Sequence, residues 1–178
     1  NGSSLFPATG LRSFGTGKRK VTIGFIGMTL KETPTVVTPA GVAGLDFRDE
    51  ADTANALIPA LKAKGADAIV VLIHQGGSSK VGYNDKSCDG FTGDLLPILE
   101  RLDASVDLVV SGHTHKSYVC DYGKINPAKP FLVTSGGQYG TLLTDITLDI
   151  DPVAGKVVGK RGDNIIVQGE GYPHPKGD

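Results

Sequence analysis

Three continuous apolar runs punctuate the chain: "KVTIGFIGMT" (20–29), "DAIVVLIHQGG" (67–77) and "VDLVVSGH" (106–113). They are rich in β-branched residues and lack the polar alternation of a half-solvated strand, so each reads as a buried strand. Between them the period changes to a helical one. In "DEADTANALIPALKAKG" (49–65), Ala54, Leu57, Ile58 and Leu61 share one face. Acidic residues open this segment, Lys62 and Lys64 close it, and Gly65 can cap it, while Pro59 predicts a kink. In "GDLLPILERL" (93–102), Leu95, Ile98, Leu99 and Leu102 form a second such face, and Pro97 fits a first turn. "TPTVVTPAGVAG" (33–44) reads as a loop. Strand, helix, strand, helix, strand predicts an α/β layer structure with right-handed crossovers. Beyond residue 130 the helices stop. "FLVTSGGQYG" (131–140), "LLTDITLDI" (142–150) and "KVVGKRGDNIIVQ" (156–168) read as strands, with "DPVAGK" (151–156) as a hairpin turn and "GYPHPKGD" as a poorly ordered tail.

Composition narrows this picture. The 178 residues are one domain's worth of chain, and 18 basic against 19 acidic residues give a net charge of −1 with no long run of either sign. Neither a nucleic-acid polymer nor a polybasic membrane contact is implied. No apolar stretch approaches the roughly 20 residues that span a bilayer. The N-terminus "NGSSLFPATG" has no charged start and apolar run, so it reads as no signal peptide; lacking Met, it reads as a start inside a longer precursor. Cys88 and Cys120 are too few for a disulfide scaffold, and their spacing fits no zinc motif. Two free buried thiols and a single bridge both remain open on composition.

The chemistry concentrates in histidine. Of four histidines, at 74, 113, 115 and 174, three directly follow apolar strands. In an open α/β sheet, ligands gather outside the carboxyl ends of parallel strands. His74, His113 and His115 are therefore expected to converge on one edge as metal ligands, imidazole being the commonest donor. The pairs Gly76–Gly77 and Gly136–Gly137 would let backbone approach a ligand there. His174, between two prolines, reads as exposed and silent. "GQYGT" around Gln138 and Tyr139 reads either as a binding loop or as a glycine-rich turn, and "RGD" (161–163) as a chance match ahead of a strand. No nucleophile elbow and no phosphate-cradling loop are present, and Ser111 has no orienting carboxylate in view.

With "GHTH" after one apolar strand and "VVLIHQGG" ending another, the chain resembles the calcineurin-like metallophosphoesterases. The similarity runs from about residue 5 to 168 and points to their secreted 5'-nucleotidase and 2',3'-cyclic phosphodiesterase branch. "KVTIGFIGMTLKETP", "AGVAGLDFRDE" and "TSGGQYGTLLTDITLDID" carry it further. The resemblance implies half of a four-layer α/β/β/α sandwich, with mixed sheets and flanking helices. It implies a two-metal site of Mn, Zn or Fe in which His74 and His113 bind one ion and His115 the other, and hydrolysis of nucleotide phosphate esters by an activated water. It also implies export and a disulfide between Cys88 and Cys120. The family's Asp-x-His, its bridging Gly-Asp and its Asn-His-Glu or Asn-His-Asp do not precede "KVTIGFIGMT" here.

Residues 1–168 are therefore expected to be the C-terminal part of a metallophosphoesterase domain, and 169–178 a flexible tail. Alone, the chain is expected to be inactive, to hold at most one ion weakly, and to self-associate or persist beside the missing N-terminal half. The contrasting reading is a non-catalytic α/β binding module that keeps a histidine cluster without turnover.

Overall fold

A computed structural model describes residues 3–167. The expected flexible tail at 169–178 and His174 lie outside the described residues. Among the described residues, eight strands form a six-stranded mixed sheet and a two-stranded ribbon. The sheet comprises β1 (Thr9–Phe14), β2 (Val21–Met28), β3 (Ala68–Ile73), β4 (Leu108–Val110), β5 (Ser117–Asp121) and β6 (Leu132–Gly136), in the order β1-β2-β3-β4-β6-β5. Strands β2, β3, β4 and β6 are parallel, while β1 and β5 close the edges antiparallel. The ribbon pairs β7 (Leu142–Asp151) with β8 (Lys156–Ile166) across a turn at Gly155, where φ is +60°. The class is mixed α/β, as the alternation of elements predicts.

The apolar runs are explained by apolar contacts on both faces of the sheet, full on one and partial on the other. Ile69, Val71 and Ile73 of β3 point toward α2 (Glu50–Ala63) and α3 (Leu95–Arg101), in one core with Ile26, Ala54, Ile58, Leu61, Leu95 and Leu99. Val70 points the other way, into a smaller cluster with Leu108, Val119 and Leu132, against which Ile146 and Leu148 of the ribbon pack. Gly24 of β2 lets α2 come close. A Cβ there would lie 3.1 Å from the Ala66 Cβ and 3.3 Å from Leu61.

That second face is only partly covered. A groove of 740 Å³ remains between sheet and ribbon, lined by Ile23, Phe25, Val70, Leu72, Leu108 and Val110 among others. Leu72 is 42% exposed in the middle of the sheet.

Helix α2 begins where the sequence predicts, with the Asp49 carboxylate accepting the Asp52 N–H at 3.0 Å. It runs unbroken through Pro59, which lies on the solvent side, where water can serve the freed carbonyl. Segment 33–44, read as loop, instead contains a one-turn helix α1 (Thr33–Val36) and a 3-10 turn (Pro39–Val42), each with a proline preset for a first turn. Two strands went unread. β1 is almost wholly exposed and shows no apolar pattern, and the five residues of β5 hold only one short buried triplet, Tyr118–Cys120.

Arg101 of α3 clamps the start of α2 by donating to both Asp49 oxygens, at 2.9 and 2.7 Å, and to Asp52. Those bonds, with the Asp52 N–H, hold the Asp49 carboxyl at about 2, below its ordinary 3.8. A depressed folded-state pKa stabilises fully above the unfolded value and is lost as pH falls through the folded one. Arg101→Ala is therefore expected to lower the urea midpoint slightly at pH 7, and the gap from the parent should close between about pH 4 and pH 2. An unchanged gap at the lower pH would show that the clamp acts through packing rather than charge.

Candidate metal centre

The carboxyl ends of β2, β3, β4 and β6 lie side by side, and hydrogen bonds stitch their loops together beyond the strands. The His74 N–H donates to the Met28 carbonyl at 3.0 Å, Gly112 N–H to Gln75 at 3.2 Å and Ser111 N–H to Thr134 at 2.8 Å. The Thr114 hydroxyl donates to the Gly77 carbonyl at 2.8 Å. Below them, the buried Tyr118 hydroxyl accepts the Gly77 N–H at 3.1 Å and pairs with the Ser111 hydroxyl at 2.6 Å. Burial pushes the Tyr118 phenol's pKa up, against the opposing pull of those two bonds. One tyrosine thus ties the loop after β3 to the loop after β4.

Gly76 and Gly77 have a different purpose from the expected ligand approach. A Cβ at Gly76 would stand 2.0 Å from the Gly112 carbonyl oxygen, and one at Gly77 would stand 2.6 Å from the Phe91 ring. The glycines admit the neighbouring loop and ring, so the close approach is protein against protein.

The turn at 112–114 is unusually tight. Thr114 N–H donates to the Gly112 carbonyl at 2.7 Å, two residues back, around His113 at φ +64°. That is a γ-turn of the rare positive-φ kind. His115 is also left-handed at +59°, as is Tyr139 in the loop after β6. Each such side chain costs on the order of 1 kcal/mol, and strain of this kind gathers at functional sites.

The turn carries His113 onto His74. His113 Nδ1 lies 3.3 Å from His74 Nε2, with ring centroids 5.0 Å apart and both side chains solvent-accessible. His115 lies beside Tyr139, with their ring centroids 6.2 Å apart. Among the described residues, no three His, Cys, Asp or Glu side chains come close enough to share an ion. The chemistry of the pair still fits a metal. Two imidazole nitrogens each roughly 2.1 Å from one ion, at about 104° to each other, stand about 3.3 Å apart. His74 and His113 can serve as two ligands of one ion.

Cys88 and Cys120 form a disulfide, both buried, joining the 78–92 loop to β5. No helix among the described residues is long and apolar enough to cross a membrane. The RGD tripeptide lies within β8, where Arg161 pairs with Asp149 at 2.9 Å and Asp163 with Lys86.

No family model matches the chain. It is 25% identical over 147 residues to the endonuclease YhcR of Bacillus subtilis (strain 168), which covers 83% of this chain and 11% of that protein. It is 30% identical over 159 residues to a 5'-nucleotidase of Diplobatis ommata, covering 82% of this chain and 24% of the nucleotidase. Among solved structures, the calcineurin-like phosphoesterase YfkN of Bacillus subtilis superposes over 93% of this chain and 52% of its own, with a TM-score of 0.69 at 19% identity. The chain thus spans about a tenth to a quarter of the curated relatives it matches. These similarities indicate the calcineurin-like phosphoesterase and 5'-nucleotidase family.

Proposed function

We propose that this chain is the C-terminal part, residues 1–168, of a two-metal phosphoesterase domain that hydrolyses nucleotide phosphate esters. His74 and His113 hold one ion, His115 helps to hold the second, and a separate segment supplies the bridging carboxylates. The observation that carries this reading is the 3.3 Å imidazole pair at the ends of adjacent parallel strands, presented by a strained turn. Two divalent ions, when bound, supply Lewis-acid polarisation of the phosphoryl oxygens and a lowered water pKa. Imidazole donors suit Mn, Zn or Fe. The part-covered sheet face supports a further packing segment, since Phe25, Leu72 and Val110 line an open apolar groove. Substrates of the 5'-nucleotidase or 2',3'-cyclic phosphodiesterase type fit the relatives. The disulfide supports a secreted, periplasmic or cell-surface setting.

The shortage of ligands among the described residues favours a second reading, a binding module without turnover. Reconstitution separates the two. Alone, the chain is expected to retain at most one equivalent of metal after dialysis and to show no turnover. Mixed with a segment bearing Asp-x-His and Gly-Asp, it should hydrolyse a chromogenic phosphate ester in the presence of Mn. His113→Ala should abolish that activity and His174→Ala should leave it intact. Two tightly retained ions in the chain alone would defeat the divided-site reading, and activity that survives His113→Ala would defeat the metal assignment.

A further inference from the structure

We propose that Tyr139 is a specificity-determining residue whose ring forms a platform for the organic group of the ester, favouring groups with a flat ring face. This rests on the phosphoesterase reading above and adds a contact to the substrate beyond the phosphate.

Four features of the loop carry the proposal. The Tyr139 side chain is 87% exposed, so it stabilises no core. Its backbone is left-handed at φ +59°, a conformation that glycine or asparagine would hold at lower cost. The turn does not need a tyrosine, because Gly137 and Gly140 on either side already supply left-handed positions at +75° and +67°. The turn that presents it is nevertheless held in place. Thr141 donates to the Gln138 carbonyl through both its N–H and its hydroxyl, at 3.2 and 2.9 Å, and the Thr141 carbonyl accepts the Val167 N–H at 2.9 Å. A costly, exposed aromatic on a fixed turn is a presented surface.

Position decides what it is presented to. The ring centroid lies 6.2 Å from that of His115, in the loop that follows the parallel strand β6. A phosphate bound at an ion on His115 would present its ester group on the side of the site that this ring borders. The phenol is uncharged and offers a flat π-face, which suits a planar or ring-bearing group and gains little from a short polyol.

The test uses the full-length protein that carries this chain, with p-nitrophenyl phosphate and glycerol 2-phosphate as probes. Tyr139→Leu should raise KM for the aromatic ester roughly tenfold, with kcat within about twofold and glycerol phosphate unaffected. Tyr139→Phe and Tyr139→Trp should keep the parent's preference. Tyr139→Gly should lose the preference as the leucine variant does, although its backbone strain is relieved. Equal losses on both esters would overturn the proposal by showing that the ring acts through His115. No change on either ester would overturn it as well. If His113→Ala abolishes turnover while Tyr139 variants change nothing, only this inference fails; if His113→Ala leaves turnover intact, the phosphoesterase reading itself fails.

Discussion

Gly76→Ala is expected to destabilise the protein by about 3 kcal/mol and to pull His113 away from His74. The new methyl would stand 2.0 Å from the Gly112 carbonyl oxygen and 2.6 Å from the Thr114 hydroxyl. The first of these is backbone, so no rotamer change relieves the contact and the whole turn must move. That turn is already held at a positive-φ γ-turn and tied down by the Thr114 hydroxyl on Gly77, which leaves it little room to yield. Gly27→Ala is the control, since a Cβ there meets nothing within 4 Å. Urea unfolding of both variants checks stability. Loss of chemical-shift coupling between the two imidazoles in the Gly76 variant checks geometry. Equal midpoints for the two alanine variants would mean that the loops after β3 and β4 do not approach as described.

The same crowding explains which parts of the site were legible beforehand. Parallel strands with apolar contacts on both faces leave a continuous apolar run, so β2, β3 and β4 and the histidines that end β3 and follow β4 could be read directly. Convergence of three imidazoles could not. In an extended segment, residues 113 and 115 would share a face. The left-handed backbone at both positions breaks that period, sending His113 to His74 and His115 toward Tyr139. Left-handed backbone at a non-glycine residue has only a weak residue-type signature, an enrichment of His, Asn and Asp, which does not place a turn, so this one could not be located in the sequence. Tyr118 was hidden for another reason. Its role depends on a β5 strand that runs antiparallel at the sheet edge and shows no periodic pattern. Tyr139 did have a signal, an aromatic between glycines, but a turn explained it equally well.

The disulfide is expected to contribute on the order of 3–4 kcal/mol, because its 32-residue separation closes a large loop in the unfolded chain. That loop contains α3, β4 and the whole 111–115 turn, so the bond holds the segment carrying His113 and His115 to β5. Both cysteines are nearly fully buried, at 3% and 1% exposure, and reductant can reach them only when the structure opens. Alanine suits both positions, since serine would bury hydroxyls without assured partners. In denaturant titrations, dithiothreitol should lower the parent's midpoint to near that of the Cys88→Ala, Cys120→Ala double variant and leave the double variant unmoved. Thiol titration of the unfolded, unreduced parent should find no free thiol. Two thiols per chain would remove the bond from the account, and with it the argument for an oxidising compartment. A closed bond whose reduction leaves the midpoint unchanged would instead mean that packing of Tyr118, Phe91 and their neighbours holds the loop unaided.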